Sequence, residues 1–282
     1  MTFLVAEHGL SVRRACGALR LARSTYYKRP RRDPDRDLAV VDALNAVVAA
    51  HPRWGFWKCF DRLRLLGRSW NHKRVLRVYR ALRLNLPRRT KRRLPSRPRQ
   101  PLDVPAIPNT VWALDFMSDT LYAGRRFRTL NVLDEGVREA LEIVVDTSIP
   151  SGRVIRTLEQ LKSTRGLPQA IRCDNGPELI AQSFIDWCEA HRIEIRYIQP
   201  GKPDQNAFIE RFNRTYREEV LNAYLFQSLE QVREITEQWI WSYNEERPHD
   251  AVGRIPPAMF RRKQAEEEDE ERVELSTLAW ST

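Results

Sequence analysis

Six prolines stand among the 22 residues 87–108, PRRTKRRLPSRPRQPLDVPAIP, and no compact element survives that density. Each proline removes a backbone donor and fixes φ, so the segment favours an extended chain over helix or strand. It divides the 282 residues into two folding units and is itself a linker. It carries seven Lys and Arg, all by residue 99, which suits a strap lying along a polyanion.

Charge divides at the same place. Residues 1–101 hold 26 Lys and Arg against six acidic residues, while residues 102–264 hold 21 against 24. Residues 265–282 hold one against seven. The formal charge of +11 is therefore the remainder of a strongly basic front. Such a front repels itself, and a polyanion whose phosphates shed counterions is its natural partner; the plainer alternative is a solvated basic surface. The run from Glu266 to Glu271 reads as a disordered or fraying tail, with autoinhibition of the basic arm as a further option. Cys16, Cys59, Cys173 and Cys188 lie far apart with no CxxC pair, which speaks against a disulfide framework and a cysteine zinc module. No apolar run approaches the ~18–20 residues of a membrane span, and the first residues do not resemble a signal peptide. A cytoplasmic protein is expected.

In the front unit, residues 9–29 predict two short helices around a tight turn, with Ser11 capping the first and Ser24 opening the second. Val12, Ala15, Cys16 and Leu19 would form the apolar stripe, and Leu21 would fill the turn. A helix-turn-helix has this size, and Arg23, Thr25, Tyr26 and Lys28 would then face DNA; a purely structural hairpin fits equally well. Further helices are expected over Asp37–Ala50, Phe56–Leu66 and Lys73–Leu82, the last capped by Asn71. The first of these turns Leu38, Val41, Leu44, Val47 and Val48 inward. The last presents Lys73, Arg74, Arg77 and Arg80 as a strip suited to phosphates. Residues 1–86 are thus an all-α DNA-binding region.

Beyond the linker, strands are predicted over Val111–Tyr122, Phe127–Leu133 and Leu141–Asp146, then alternating helices and strands to a long helix over Gln205–Leu221. That order defines an α/β unit, residues 109–263, with a mixed sheet flanked by helices. Three acids fall where the layout converges. Asp115 lies inside a strand, Asp174 opens the turn Asp174-Asn-Gly-Pro-Glu178, and Glu210 follows Asp174 with 35 residues between them. At about 100° per residue, Asn206, Glu210, Asn213, Arg214 and Arg217 share one helix face, opposite Phe208, Ile209, Phe212, Tyr216 and Val220. Three carboxylates without His or Cys suit a hard cation that also binds phosphate. Each acid also has a plain reading: a turn former, a solvated helix charge, or an Asp paired with an Arg. Asp119 has the strand parity of Asp115 and is its rival. The loop 244–257, with Arg247 and His249, could meet DNA or serve as a structural clasp.

Trp112–Asp115 (WALD), Cys173–Glu178 (CDNGPE) and the Asp174/Glu210 spacing resemble the DDE catalytic core of transposases and retroviral-type integrases, which has a ribonuclease-H-like fold. Gln199–Asn222 and Tyr243–Phe260, with HPRWGFWKC from residue 51 and NHKRVLRVYRALRLN from residue 71, are similar to the OrfB product of insertion-sequence-three-type bacterial transposases. The resemblance implies that Asp115, Asp174 and Glu210 bind two Mg²⁺ or Mn²⁺. It implies that Arg217 contacts DNA near the reacting phosphate and that Asn206 holds DNA or shapes the cleft. It implies cleavage at element ends, strand transfer by the freed 3′-OH, and often a circular element intermediate. The partners implied are double-stranded DNA carrying terminal repeats and target, further copies of the chain on that DNA, and an upstream OrfA product or a frameshift fusion with it. Two departures stand out: a His-His-Cys-Cys zinc module is absent before the core, and the front lacks a leucine-zipper run. A DNA-binding regulator and a ribonuclease-H-type nuclease are the competing readings.

Overall fold

The computed structural model describes residues 2–27, 34–87, 105–199 and 206–279. Lys28 and nearly all of the Pro-rich linker lie outside the described residues, as do residues 200–205 of the long-helix region.

The front begins with three short helices, α1 (Thr2–Ala6), α2 (Val12–Ala18) and α3 (Arg23–Tyr27). Ser11 accepts from the Arg14 backbone N–H and so caps α2 as expected. Ala15 and Cys16 are buried, but Leu19 is 44% exposed and drops out of the apolar stripe, and Leu21, 45% exposed, does not fill the turn. A pattern of two apolar residues per turn cannot reveal how few partners a seven-residue helix has.

A 3₁₀ turn (Pro34–Asp37) leads into α4 (Leu38–Ala50), followed by α5 (Phe56–Leu65) and α6 (His72–Ala81), the last capped by Asn71 accepting from Lys73 N at 2.9 Å. Their shared core is Val40, Leu44, Val47, Trp54, Cys59, Leu63, Val75, Val78 and Tyr79. The stripe of α4 is rotated from the expected one: Val40 is inside and Leu38 is half exposed. Apolar residues surround this helix, so periodicity alone leaves its inner face open.

The second unit is a five-stranded sheet ordered β3-β2-β1-β4-β5. Strands β1 (Val111–Thr120), β2 (Arg126–Asp134) and β3 (Ala140–Asp146) form an antiparallel meander, and β4 (Ala170–Cys173) and β5 (Glu194–Tyr197) add in parallel. Side chains alternate across β1. Trp112 and Leu114 enter one core beneath α7 (Ser151–Arg165) and α8 (Gln182–Ala190). Ala113, Met117 and Leu121 enter the other, beneath α9 (Ala207–Tyr216) and α10 (Leu229–Glu245). Helix α9 runs on through a π turn, Arg217–Leu221, so the expected long helix is present.

The acidic run does not form a separate tail: α11 extends from Pro257 to Ala279 and includes it. Pro257 opens the helix and no Gly or Pro follows before residue 280, so the Glu-rich stretch, itself a good helix former, continues it.

Candidate active site

Asp115 sits mid-way along β1 on the face covered by α9, because Ala113 and Met117 on either side of it pack into that core. Its two oxygens are each given a donor. The Phe116 backbone N–H donates to Oδ1 at 2.9 Å, and Asn213 Nδ2 donates to Oδ2 at 2.6 Å. Burial pushes its carboxyl up to about 6; the Phe116 N–H opposes that shift, the charges of Asp174 and Glu210 add to it, and Asn213 opposes it again. Asp115 thus lies within the field of both other acids.

Asp174 follows β4 directly, where the strand ends beside β1. Its Oδ1 accepts from Gly176 N at 3.0 Å, closing the turn. A Cβ at Gly176 would come 3.0 Å from that oxygen, so the glycine gives the carboxylate its room. Two residues on, Glu178 pairs with Arg128 of β2, whose guanidinium lies 4.4 Å from the Phe116 ring centroid. The loop is thereby tied back to the sheet. Glu210 stands exposed in the first turn of α9. Among the described residues, no three Asp, Glu, His or Cys side chains stand close enough to hold a metal ion as they are.

The remaining expected contacts divide. Arg214 is exposed. Arg217 is held by Asp119, with Nη1 3.0 Å from Oδ2, and donates from Nη2 to the Ser118 carbonyl at 3.0 Å. Asp119 is therefore occupied by an arginine of the same face. Asn206, expected to hold DNA or shape the cleft, is buried just before α9, at 6% exposure. In the front unit Arg23 is exposed, and Tyr26 meets Tyr27 edge-on at 5.1 Å. Lys73 and Arg80 are exposed, but Arg74 and Arg77 both pair with Asp37, at 2.9 and 2.7 Å. Half of the expected phosphate strip is thus engaged within the chain.

The loop 244–257 is a clasp. Arg247 Nη1 donates to both oxygens of Glu219, at 2.6 and 2.7 Å, and Trp239 Nε1 donates to the same carboxylate at 2.9 Å. Arg62 and His51 of the front unit reach Glu246, and Lys58 donates to the Pro248 carbonyl at 2.8 Å. These contacts fasten α4–α6 to the end of the helix that carries Glu210. Buried His249 belongs to the same junction, where burial and the Lys58 and Arg247 charges hold its imidazole well below its ordinary value.

Sequence reasoning placed Asn213 on the right face but missed Asn131, Arg128 and Glu219. The signal for Asn131 was an amide inside the otherwise apolar run Leu130–Leu133.

A mixed five-stranded sheet flanked by helices, with Asp115 on β1, Asp174 at the end of β4 and Glu210 on α9, has the layout of a ribonuclease-H-like integrase core. Residues 105–203 and 191–257 each match an integrase core domain family. The fold is similar to a chain of the simian T-cell lymphotropic virus intasome in complex with the PP2A regulatory subunit B56 gamma. That likeness has a TM-score of 0.50 at 17% identity, covering 78% of this chain and 74% of that one. An insertion element IS476 protein of 39.2 kDa from Xanthomonas euvesicatoria is 41% identical over 89% of this chain and 72% of its own length. An insertion element IS407 protein of 31.7 kDa from Burkholderia multivorans is 37% identical over 93% and 95%. The chain belongs to the insertion-element transposases, polynucleotidyl transferases of the DDE type. No helix among the described residues is long and apolar enough to cross a membrane.

Proposed function

We propose that Asp115, Asp174 and Glu210 are the acids with which this transposase holds two Mg²⁺ or Mn²⁺ ions, cleaves DNA at the ends of its element and joins those ends to a target. The observation that carries this reading is the setting of Asp115, a strand carboxylate packed under a helix and exposed to the charges of Asp174 and Glu210. A charge in such a place is costly unless a cation answers it. The donors are all carboxylate oxygens, as hard divalent cations require. When bound, such cations activate a water or hydroxyl and offset charge at the attacked phosphorus.

The chain's own residues do the rest. Asp115 is held in one orientation by Phe116 N–H and Asn213. Asp174 is set by the Gly176 turn and the Glu178–Arg128 pair. Arg217 and Arg214, on the side of the helix that carries Glu210, meet the DNA backbone. Water attacks the phosphodiester at an element end and frees a 3′-OH. That hydroxyl then attacks a second phosphodiester, one P–O bond forming as another breaks, so no high-energy co-reactant is consumed. Arg23, Tyr26, Lys28, Lys73 and Arg80 bind the terminal repeats, with Arg74 and Arg77 contributing once released from Asp37. Several copies assemble on the DNA, as the similarity to an intasome chain supports. An upstream OrfA product or fusion completes the assembly, which works at the nucleoid in the cytoplasm.

The test supplies the chain with a duplex carrying its element's ends and Mg²⁺, and resolves products on a denaturing gel. Cleaved and joined strands that vanish with Asp174→Asn are expected. Products that persist in that variant would refute the assignment.

A further inference from the structure

Two buried amides stand behind Asp115. The antiparallel register of β1 and β2 sets Asn131 directly opposite Asp115. Asn213 comes down from α9 between them, one helical turn after Glu210. Asn213 Nδ2 donates to Asp115 Oδ2 at 2.6 Å, and Asn131 Nδ2 donates to Asn213 Oδ1 at 2.6 Å. Asn213 is 8% exposed and Asn131 is fully buried.

The direction of this chain of bonds is fixed. An ionised carboxylate only accepts, so Asn213 must turn its NH₂ toward Asp115 and its carbonyl toward Asn131. Asn131 must then donate, and its own Oδ1 is left buried with no partner. An unmet buried carbonyl is costly, and a fold tolerates one where the bond on the other side is needed. Were Asn213 flipped, its carbonyl would face the Asp115 carboxylate and its NH₂ would face another NH₂. The relay therefore locks one rotamer of Asn213.

We infer that Asn213, backed by Asn131, is a positioning residue that aims Asp115 at the divalent cation and fixes the distance between Asp115 and Glu210. This rests on the reading of the three acids as the cation site. Two consequences follow from the geometry. With one donor on each oxygen, Asp115 keeps a lone pair on each for a cation, out of about four that a carboxylate offers. The same side chain ties β1 to α9, so a shift of the helix moves Glu210 and the donor to Asp115 together. Groups that orient a metal-binding carboxylate in this way typically change cation affinity by about 10–100-fold when removed.

The test titrates Mn²⁺ into the full chain, following free Mn²⁺ by electron paramagnetic resonance, for wild type, Asp174→Asn, Asn213→Ala and Asn213→Leu. Asn213→Leu keeps the volume and Asn213→Ala does not; a thermal melt of each sample separates loss of fold from loss of the bond. The expected result is an affinity about 10–100-fold weaker in both Asn213 variants at near wild-type melting temperature. Asn213 variants that bind Mn²⁺ like wild type, while Asp174→Asn does not, would overturn the positioning role alone. Undiminished binding by Asp174→Asn would overturn the underlying site. The wild type gives a readout needing no variant: Mg²⁺ should shift the side-chain ¹⁵N–¹H amide signals of Asn213. Those of Asn244, which bonds the Ala140 backbone instead, should stay in place. An Asn213 signal unmoved by Mg²⁺ would overturn the inference whatever the variants do.

Discussion

Arg217 Nη1 lies 3.0 Å from Asp119 Oδ2, joining the end of helix α9 to the strand that carries Asp115. The rival for the first acidic position is thus the partner of the arginine expected to meet DNA. A partly exposed pair of this kind contributes about 1 kcal/mol, or roughly fivefold in a rate. Asp119→Asn should therefore leave Mg²⁺-dependent end cleavage within about fivefold of wild type, whereas Asp115→Asn should lower it by about a thousandfold or more. Quantified gel rates for the two variants decide between them. Equal losses would make Asp119 part of the site.

The clasp yields a stability prediction. Arg247 and Glu219 have side chains only 10% and 14% exposed, so removing Arg247 leaves the Glu219 charge buried with the Trp239 N–H but no cation to answer it. Arg247→Met should destabilise the chain by about 3 kcal/mol, seen as a lower urea midpoint. Because Glu219 lies in the π turn just after Arg217, cleavage should fall in the same variant. An unchanged midpoint would show that Glu219 finds water or another partner.

Lys58 gives a pH signature at the same junction. Burial, with the Arg247 charge adding to it, pulls its ammonium down to about 8 while it donates to the Pro248 carbonyl. A folded value below the unfolded one means the unfolded chain holds the extra proton between the two. Stability from this group therefore rises with pH from about 8 toward the ordinary lysine value, and the penalty of burying the charge is complete below about 8. The melting temperature of wild type should gain on that of Lys58→Met between pH 7 and pH 10, by the equivalent of about 2 kcal/mol. A difference that stays flat with pH would place Lys58 in water.

On the basic strip, Lys73 and Arg80 are exposed while Arg74 and Arg77 share Asp37. Removing Lys73 or Arg80 should cut the slope of log affinity for duplex DNA against log salt by about one each. Removing Arg74 or Arg77 should cut it less, since each already has an acidic partner. Fluorescence anisotropy across a salt series measures all four slopes. Four equal slopes would mean that DNA draws both arginines away from Asp37.

The three-strand meander, the alternating helices and strands after it and the turn at Asp174 were legible because each leaves a short-range mark. Alternation gives β1 its two faces, and Asp174-Asn-Gly is a turn wherever it occurs. Helix α4 was found but its face was not, since LAVVDALNAVVAA is apolar nearly all round. The acidic end was read from charge alone, and its lack of Gly and Pro outweighed repulsion. What the sequence hid is the pairing of distant groups. Asn213 with Asp115 and Arg217 with Asp119 join residues that only the packing of α9 and its π turn on the sheet brings together, and Arg247 with Glu219 joins the loop after α10 to that same turn. Composition marks each as polar, but not for whom.

The central claim is that Asp115, Asp174 and Glu210 act as one unit on DNA. The most direct measurement is end cleavage under single-turnover conditions for Asp115→Asn, Asp174→Asn, Glu210→Gln and the triple variant. Groups that act together are strongly non-additive. Each single variant should lose at least about a thousandfold, and the triple should be little worse than any one of them. A single variant that cleaves at the wild-type rate would remove that acid from the site and contradict the account.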